Sequence, residues 1–227
     1  MPVVAGYAER FGVYDEMGPY LANSLGSEET TLYKMVTAYA MFANGGERLE
    51  PTLVDRIQDR EGLTIYRHDD RDCVDCSSSM LPDGAAPRIV TDRDQVMDPI
   101  TAYQLTSMMR GVVERGTASG VVNLGVPTAG KTGTTNGPRD AWFSGYSRRL
   151  VTTSWIGFDD PSRNLGRSVY NNNLSKNQIT GKEFGARSAQ PAWIDFMKVA
   201  LIDLAIEPFQ PPVEIVSVRI DKISGKL

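Results

Sequence analysis

The chain has 227 residues, enough for one large domain or two small ones, and its 41% hydrophobic and 23% charged residues are the balance of a folded globular protein. Lys and Arg total 24 against 28 Asp and Glu, a formal charge of −4, and the basic residues are scattered, which argues against a nucleic-acid binder. No run of about 18 apolar residues is present to cross a membrane, and Met1–Tyr7 lacks the basic-then-apolar order of a signal peptide.

Taken in chain order, Tyr7–Gly12 reads as the last turn of a helix closed by glycine, with its beginning expected before residue 1. Residues 30–43 carry the strongest helical period, with Leu32, Met35, Val36, Tyr39, Ala40 and Ala43 on one expected core face. Glu28 and Glu29 favour the positive start of that helix, and Asn44-Gly45-Gly46 ends it. Residues 53–59 and 63–67 look like two strands joined through Arg60-Glu61-Gly62. From His68 to Arg88 the chain turns acidic, serine-rich and proline-bearing, as a surface excursion would.

Asp98 suits a helix N-cap and Pro99 the first helical position. The helix they open is expected to bury Ile100, Tyr103, Met108, Met109 and Val112, to end at Glu114-Arg115-Gly116, and to restart briefly over 117–122. Residues 127–135 read as a strand, 136–139 as a turn, and 142–146 with 150–158 as a hairpin around Ser147-Arg148-Arg149. Three adjacent antiparallel strands follow. Residues 159–187 are polar and asparagine-rich, hence a long loop. Pro191 opens a last helix with Ile194, Met197, Leu201 and Leu204 at helical spacing. After the linker 207–212, residues 213–221 alternate like a strand.

The fold class expected is α+β, an antiparallel sheet flanked by helices, with one domain over 1–206 and a linker plus strand start over 207–227.

The chemistry concentrates in Ala129-Gly130-Lys131-Thr132-Gly133-Thr134-Thr135, followed by Asp140-Ala141-Trp142-Phe143. Nothing there is bulky enough to shield its own backbone. As an edge strand it would offer its amides and carbonyls to an extended peptide. Lys131 adds a cation, and Thr132, Thr134 and Thr135 add hydroxyl donors where a substrate carboxylate would sit. A glycine-rich turn with an exposed lysine is the plainer alternative, and the surroundings decide between the two.

Those surroundings resemble the C-terminal part of the transpeptidase domain of class A penicillin-binding proteins, the bifunctional glycosyltransferase/transpeptidases of bacterial peptidoglycan synthesis. Residues 7–12, Ser24-Leu25-Gly26, Glu29-Thr30-Thr31 and 38–46 look like the helical region after that family's second active-site motif. Residues 112–118 look like its glycine-threonine segment, and 130–135 with 140–146 like its Lys-Thr-Gly motif and the next strand. Lys-Thr-Gly is also shared with serine β-lactamases.

The resemblance implies attack on a D-alanyl-D-alanine bond through a serine ester, with stem peptides and β-lactams as partners and no cofactor or metal. Lys131 and Thr134 are the catalytic candidates: Lys131 would supply positive field and a proton relay, and the Thr134 amide half of an oxyanion hole. One such donor is typically worth roughly 3–4 kcal/mol of transition-state stabilisation. Thr132, Gly133, Thr134 and Thr135 are the substrate-binding candidates, Gly133 because a side chain there would hold substrate off the strand. Asp140 is expected to bond turn amides.

The family's nucleophile lies in a Ser-x-x-Lys motif, and none occurs in this sequence. Ser175-Lys176-Asn177 matches the family's second motif, Ser-x-Asn, in letters but lies after Lys131, so it is read as coincidence. The chain is therefore expected to begin downstream of the second motif. Nucleophile, glycosyltransferase and membrane anchor would lie in an absent N-terminal part at the periplasmic face of the inner membrane. Alone, the chain is expected to be inactive. A noncatalytic binding module and a β-lactamase fragment are the alternatives.

Cys73-Val74-Asp75-Cys76 is the one cysteine pair. A disulfide suits the extracytoplasmic setting that the resemblance implies. A zinc site with His68 and an aspartate, a redox pair, and two free thiols stay open beside it. His68 reads as a solvated loop histidine rather than a catalytic base.

Overall fold

The computed structural model describes residues 1–69, 71–74, 76, 88–119, 124–160, 162, 163, 165 and 183–226. Its first helix, α1 (Pro2–Arg10), starts on a proline, whose missing N–H costs nothing in a first turn. It closes through the Gly12 N–H to Glu9 C=O bond, with Gly12 in the left-handed region at φ 67°. A short 3-10 turn, Leu21–Leu25, follows. Then α2 (Leu32–Ala43) is capped by Thr31, whose hydroxyl accepts from the Lys34 amide. Glu28 does not serve the α2 start; its carboxylate takes Asn23 Nδ2 at 2.7 Å and the Gly18 amide at 3.3 Å.

The expected core stripe of α2 holds at Tyr39 and Ala43, which pack against Ala129 and Tyr146, and needs correcting elsewhere. Ala38 and Met41 are the buried residues, while Leu32 stands 44% exposed. In α3 (Pro99–Arg115), capped by Asp98 through the Ile100 and Thr101 amides, the buried residues are Ala102, Thr106, Met109, Gly111 and Val113. Met108, expected inside, is 64% exposed. Ala38 and Met41 of α2 pack with Phe11 and Val96, while Tyr39, Phe42 and Ala43 face the sheet at Ala129 and Tyr146.

The central sheet is β5 (Ala129–Thr134), β6 (Asp140–Tyr146) and β7 (Val151–Gly157), antiparallel in that order. Along β6 the side chains alternate between two cores. Ala141 and Phe143 pack with Ala189, Trp193, Ile194 and Met197 of α4 (Ala189–Ala200). Tyr146 points the other way, to Met109 of α3 and Tyr39 and Phe42 of α2. The sheet therefore has helices on both faces. Phe143 and Trp193 meet edge to face with centroids 4.9 Å apart, and the Trp193 indole donates to Thr152 C=O at 3.0 Å. Gly130 is required by this packing, since a Cβ there would lie 2.9 Å from Phe143 Cζ and 2.9 Å from Ser144 O.

Between α2 and α3 the chain leaves as an appendage. Its base is pinched by the Glu47–Gln95 bridge and by the Arg48 N–H to Asp94 C=O bond. Beyond it, β1 (Arg56–Gln58) pairs with β2 (Thr64–Arg67), and β3 (Asp72–Val74) with β4 (Arg88–Val90). All four strands are exposed throughout. Cys73 and Cys76 are joined as a disulfide, their Cα atoms 5.5 Å apart. His68 Nε2 lies 3.0 Å from Glu50 C=O. Among the described residues no cluster of His, Cys, Asp or Glu could hold a metal ion.

Past α4, residues 213–221 form no strand, contrary to their alternation. Their apolar side chains, Val213, Val216, Val218 and Ile220, are exposed, and no sheet edge among the described residues receives them. Alternation alone supplies no partner. Of the brief helix expected over 117–122, residues 117–119 form a turn and 120–122 lie outside the described residues.

Candidate functional site

β5 has β6 on one side and no described strand on the other. The Thr135 amide donates to Asp140 C=O at 3.4 Å, so residue 135 points toward β6. Backbone groups alternate along an antiparallel ladder. The N–H and C=O groups of Thr132 and Thr134 therefore face the open edge.

The register assigns the side chains. Thr132 is opposite Phe143 and Thr134 opposite Ala141, both on the α4 face. Lys131 is opposite Ser144 and Gly133 opposite Trp142, on the other face. Lys131 folds back across the edge, its Nζ donating to Thr132 C=O at 2.8 Å and lying 3.4 Å from Thr132 Oγ1. The amine and the first hydroxyl thus meet at the strand's rim although their residues face opposite ways. Thr117, from the turn after α3, brings a second hydroxyl to Thr132 at 3.2 Å. Thr134 is exposed, and its Oγ1 accepts from the Gly185 amide at 3.0 Å.

Gly133 owes its lack of a side chain to its neighbour in the sheet. A Cβ there would meet Trp142 Cβ at 3.0 Å, a constraint set inside the sheet before any peptide is bound.

Two other expectations change. The Thr135 hydroxyl is engaged in the β5–β6 turn: it accepts from the Arg139 and Asp140 amides at 3.0 and 3.1 Å and lies 3.5 Å from Asp140 C=O. That is the turn-bonding role expected of Asp140. The Asp140 carboxylate instead takes the indole N–H groups of Trp142 and Trp155, which fixes the far end of the β5–β6 turn.

Sequence reasoning gave no role to Thr117, Gly185 or Gln190. Thr117 could have been found from its place in the glycine-threonine segment. Gly185 is 51 positions from Thr134, inside a stretch read as loop, and no local pattern marks it. Ser175-Lys176-Asn177 and the loop 171–178 lie outside the described residues.

A family model described as the penicillin binding protein transpeptidase domain matches residues 9–176. Penicillin-binding protein 1A of Rickettsia prowazekii (strain Madrid E) is 37% identical over 221 residues, covering 96% of this chain and 26% of that protein. Penicillin-binding protein 1A of Escherichia coli (strain K12) is 31% identical over 271 residues, covering 98% of this chain and 32% of that protein. The chain thus spans about a quarter to a third of the curated relatives it matches. The crystal structure of penicillin-binding protein 1A from Haemophilus influenzae superposes with TM-score 0.73 at 30% identity, over 97% of this chain and 34% of that one. PonA1 from Mycobacterium tuberculosis, solved in complex with penicillin V, gives TM-score 0.67 at 22% identity over 93% of this chain and 52% of that one, a likeness of fold alone.

Proposed function

This chain belongs to the penicillin-binding protein transpeptidase family, and on that footing we propose that it supplies the carboxylate-binding and oxyanion side of a serine D,D-transpeptidase centre. The observation that carries the reading is the rim of β5. There the Lys131 amine meets Thr132, and Thr134, two residues on, presents its amide along the same strand edge, which has no described partner. An extended D-alanyl-D-alanine terminus would lie along that edge as an added strand. Its carboxylate would be held by Thr132 and Thr134, with the Lys131 charge adjoining. The scissile carbonyl would turn toward the Thr134 amide, which strengthens its bond as negative charge grows on that oxygen.

The nucleophile is not among these residues, since no Ser-x-x-Lys occurs in the sequence. The serine would come from other sequence of the same enzyme, as would any membrane anchor. Among the described residues no helix is long and apolar enough to cross a membrane. The Cys73–Cys76 disulfide accords with an oxidising, extracytoplasmic setting. Stem peptides and β-lactams are the partners this site chemistry fits.

The test uses a fluorescent penicillin. On the 227-residue chain it is expected to leave no covalent band after denaturing electrophoresis, while ¹⁵N spectra with unlabelled benzylpenicillin shift the Lys131–Thr134 amides. A stable covalent band, or amides indifferent to saturating ligand, would overturn the assignment. A noncatalytic sensing module is separated by sequence upstream of Met1, where Ser-x-x-Lys is expected for the enzyme and not for the module.

A further inference from the structure

Behind the rim of β5, the turn that leads into α4 touches the strand directly. Gly185 lies against the β5–β6 ladder: a Cβ there would come within 2.4 Å of Trp142 O, 2.7 Å of Gly133 O and 3.0 Å of Gly133 N. All three are backbone atoms, which cannot swing aside as a side chain would. From this position the Gly185 amide donates to Thr134 Oγ1 at 3.0 Å.

Gly185 is itself tied down. Its carbonyl accepts from the Gln190 amide at 2.9 Å in the first turn of α4. The Gln190 side chain, fully buried, reaches Ala118 C=O at 3.4 Å. Ala118 is the residue after Thr117, whose hydroxyl meets that of Thr132. One hydrogen-bonded path therefore runs from Thr134 through Gly185 and Gln190 to the turn that supports Thr132.

We propose that Gly185 is a positioning residue that makes Thr134 a hydrogen-bond donor toward the groove, and so sets a preference for a peptide ending in a free carboxylate. The proposal rests on the carboxylate-binding reading of β5. A threonine hydroxyl can give one proton and accept others. With the Gly185 N–H directed at its oxygen, Thr134 keeps its proton for an acceptor on the open side. A carboxylate is acceptor on both oxygens, whereas a carboxamide presents an NH₂ donor at one of them. Without the Gly185 bond the hydroxyl rotates and serves either group. Gly185 touches no substrate; it acts through Thr134.

The test measures affinity of the 227-residue chain for N-acetyl-D-alanyl-D-alanine and for its carboxamide, by ¹⁵N titration. The wild type is expected to favour the acid by about tenfold, the scale of one charge-assisted bond. Gly185→Ala, whose Cβ would push the turn off the β5–β6 backbone, is expected to lower the melting midpoint and to reduce that ratio severalfold, the remainder being due to Thr132 and Lys131. A general loosening of the strand would weaken both ligands alike and leave the ratio standing, which would overturn the proposal. So would a Gly185→Ala ratio equal to the wild type, with the carboxylate reading intact. Binding of neither ligand by the wild type would remove that reading and this one together. Should Gly185→Ala fail to fold, Thr134→Val decides: exchange of the Gly185 amide must accelerate severalfold, and unchanged exchange overturns the proposal.

Discussion

Trp142 and Trp155, paired across β6 and β7, direct their indole nitrogens at the same oxygen of Asp140, at 2.8 and 3.2 Å. One carboxylate thus joins the end of the β5–β6 turn to the third strand. Asp140→Ala would leave two indole donors without their acceptor, each costing about 1–3 kcal/mol where water cannot replace it. A stability loss of roughly 2–4 kcal/mol is expected in urea denaturation followed by tryptophan fluorescence. Asp140→Asn keeps an oxygen acceptor and is expected to lose less than half as much.

Gly130 offers a test of close packing at the entrance to the site strand. Its missing Cβ makes room for the Phe143 ring and for Ser144 O. Gly130→Ala overpacks that contact and is expected to destabilise by about 1–3 kcal/mol. Phe143→Ala on the same face removes a fully buried ring and its contact with Trp193, and about 3–5 kcal/mol is expected. Thermal midpoints of the two variants check both values.

Alkaline pH should unfold the α2–sheet contact. Burial pushes the Tyr39 hydroxyl up from the ordinary 10.0 to about 12. Burial also raises Tyr146, against a partial opposing pull from its 2.7 Å bond with Thr106. The folded chain holds these protons more tightly than the unfolded one, so their contribution is complete below pH 10 and fades as pH rises toward 12. Stability is therefore expected to stay level up to about pH 10 and then fall. Tyr39→Phe should flatten that fall. Denaturation midpoints against pH, with tyrosinate absorbance, make the measurement.

Reduction of Cys73–Cys76 should be a local event. The bond closes a loop with sequence separation 3, in a hairpin whose strands are exposed. Loop-closure entropy assigns so short a ring about 2 kcal/mol at most. That effect is expected in the β3–β4 amides alone. Hydrogen exchange with and without reductant should show faster exchange there and unchanged protection in β5–β7.

The residues that became legible in sequence share one property: their chemistry is local. Asp98-Pro99 announces a helix start because cap and N1 are neighbours in the chain. The glycines of 129–135, with Ser147-Arg148-Arg149, announce strands and a hairpin for the same reason. The helix faces were read less well, since long apolar residues were counted as core. Leu32 and Met108 turn outward, whereas the small residues Ala38, Ala102 and Gly111 are buried. In the site, Lys131, Thr132 and Thr134 were singled out through the Lys-Thr-Gly resemblance, and the structure places all three on one edge strand. The exchange of roles between Thr135 and Asp140 was not, because it depends on where Trp155 falls across two strands. Gly185 was invisible for a related reason: its significance lies wholly in residues it meets 43–52 positions away.

The appendage between α2 and α3 has a tight neck, and its four described strands are exposed throughout. Leu49 still packs on the Phe11–Met41 core and the Pro51 carbonyl takes the Tyr33 hydroxyl at 2.8 Å, so it is only the exposed strands past residue 51 from which folding of the body is insulated. Closing a long loop costs little more than closing a short one, so this region can lengthen, shrink or acquire a new docking motif while the groove at Lys131 keeps its shape. It is the natural place on this chain for a graft, a reporter or a purification tag.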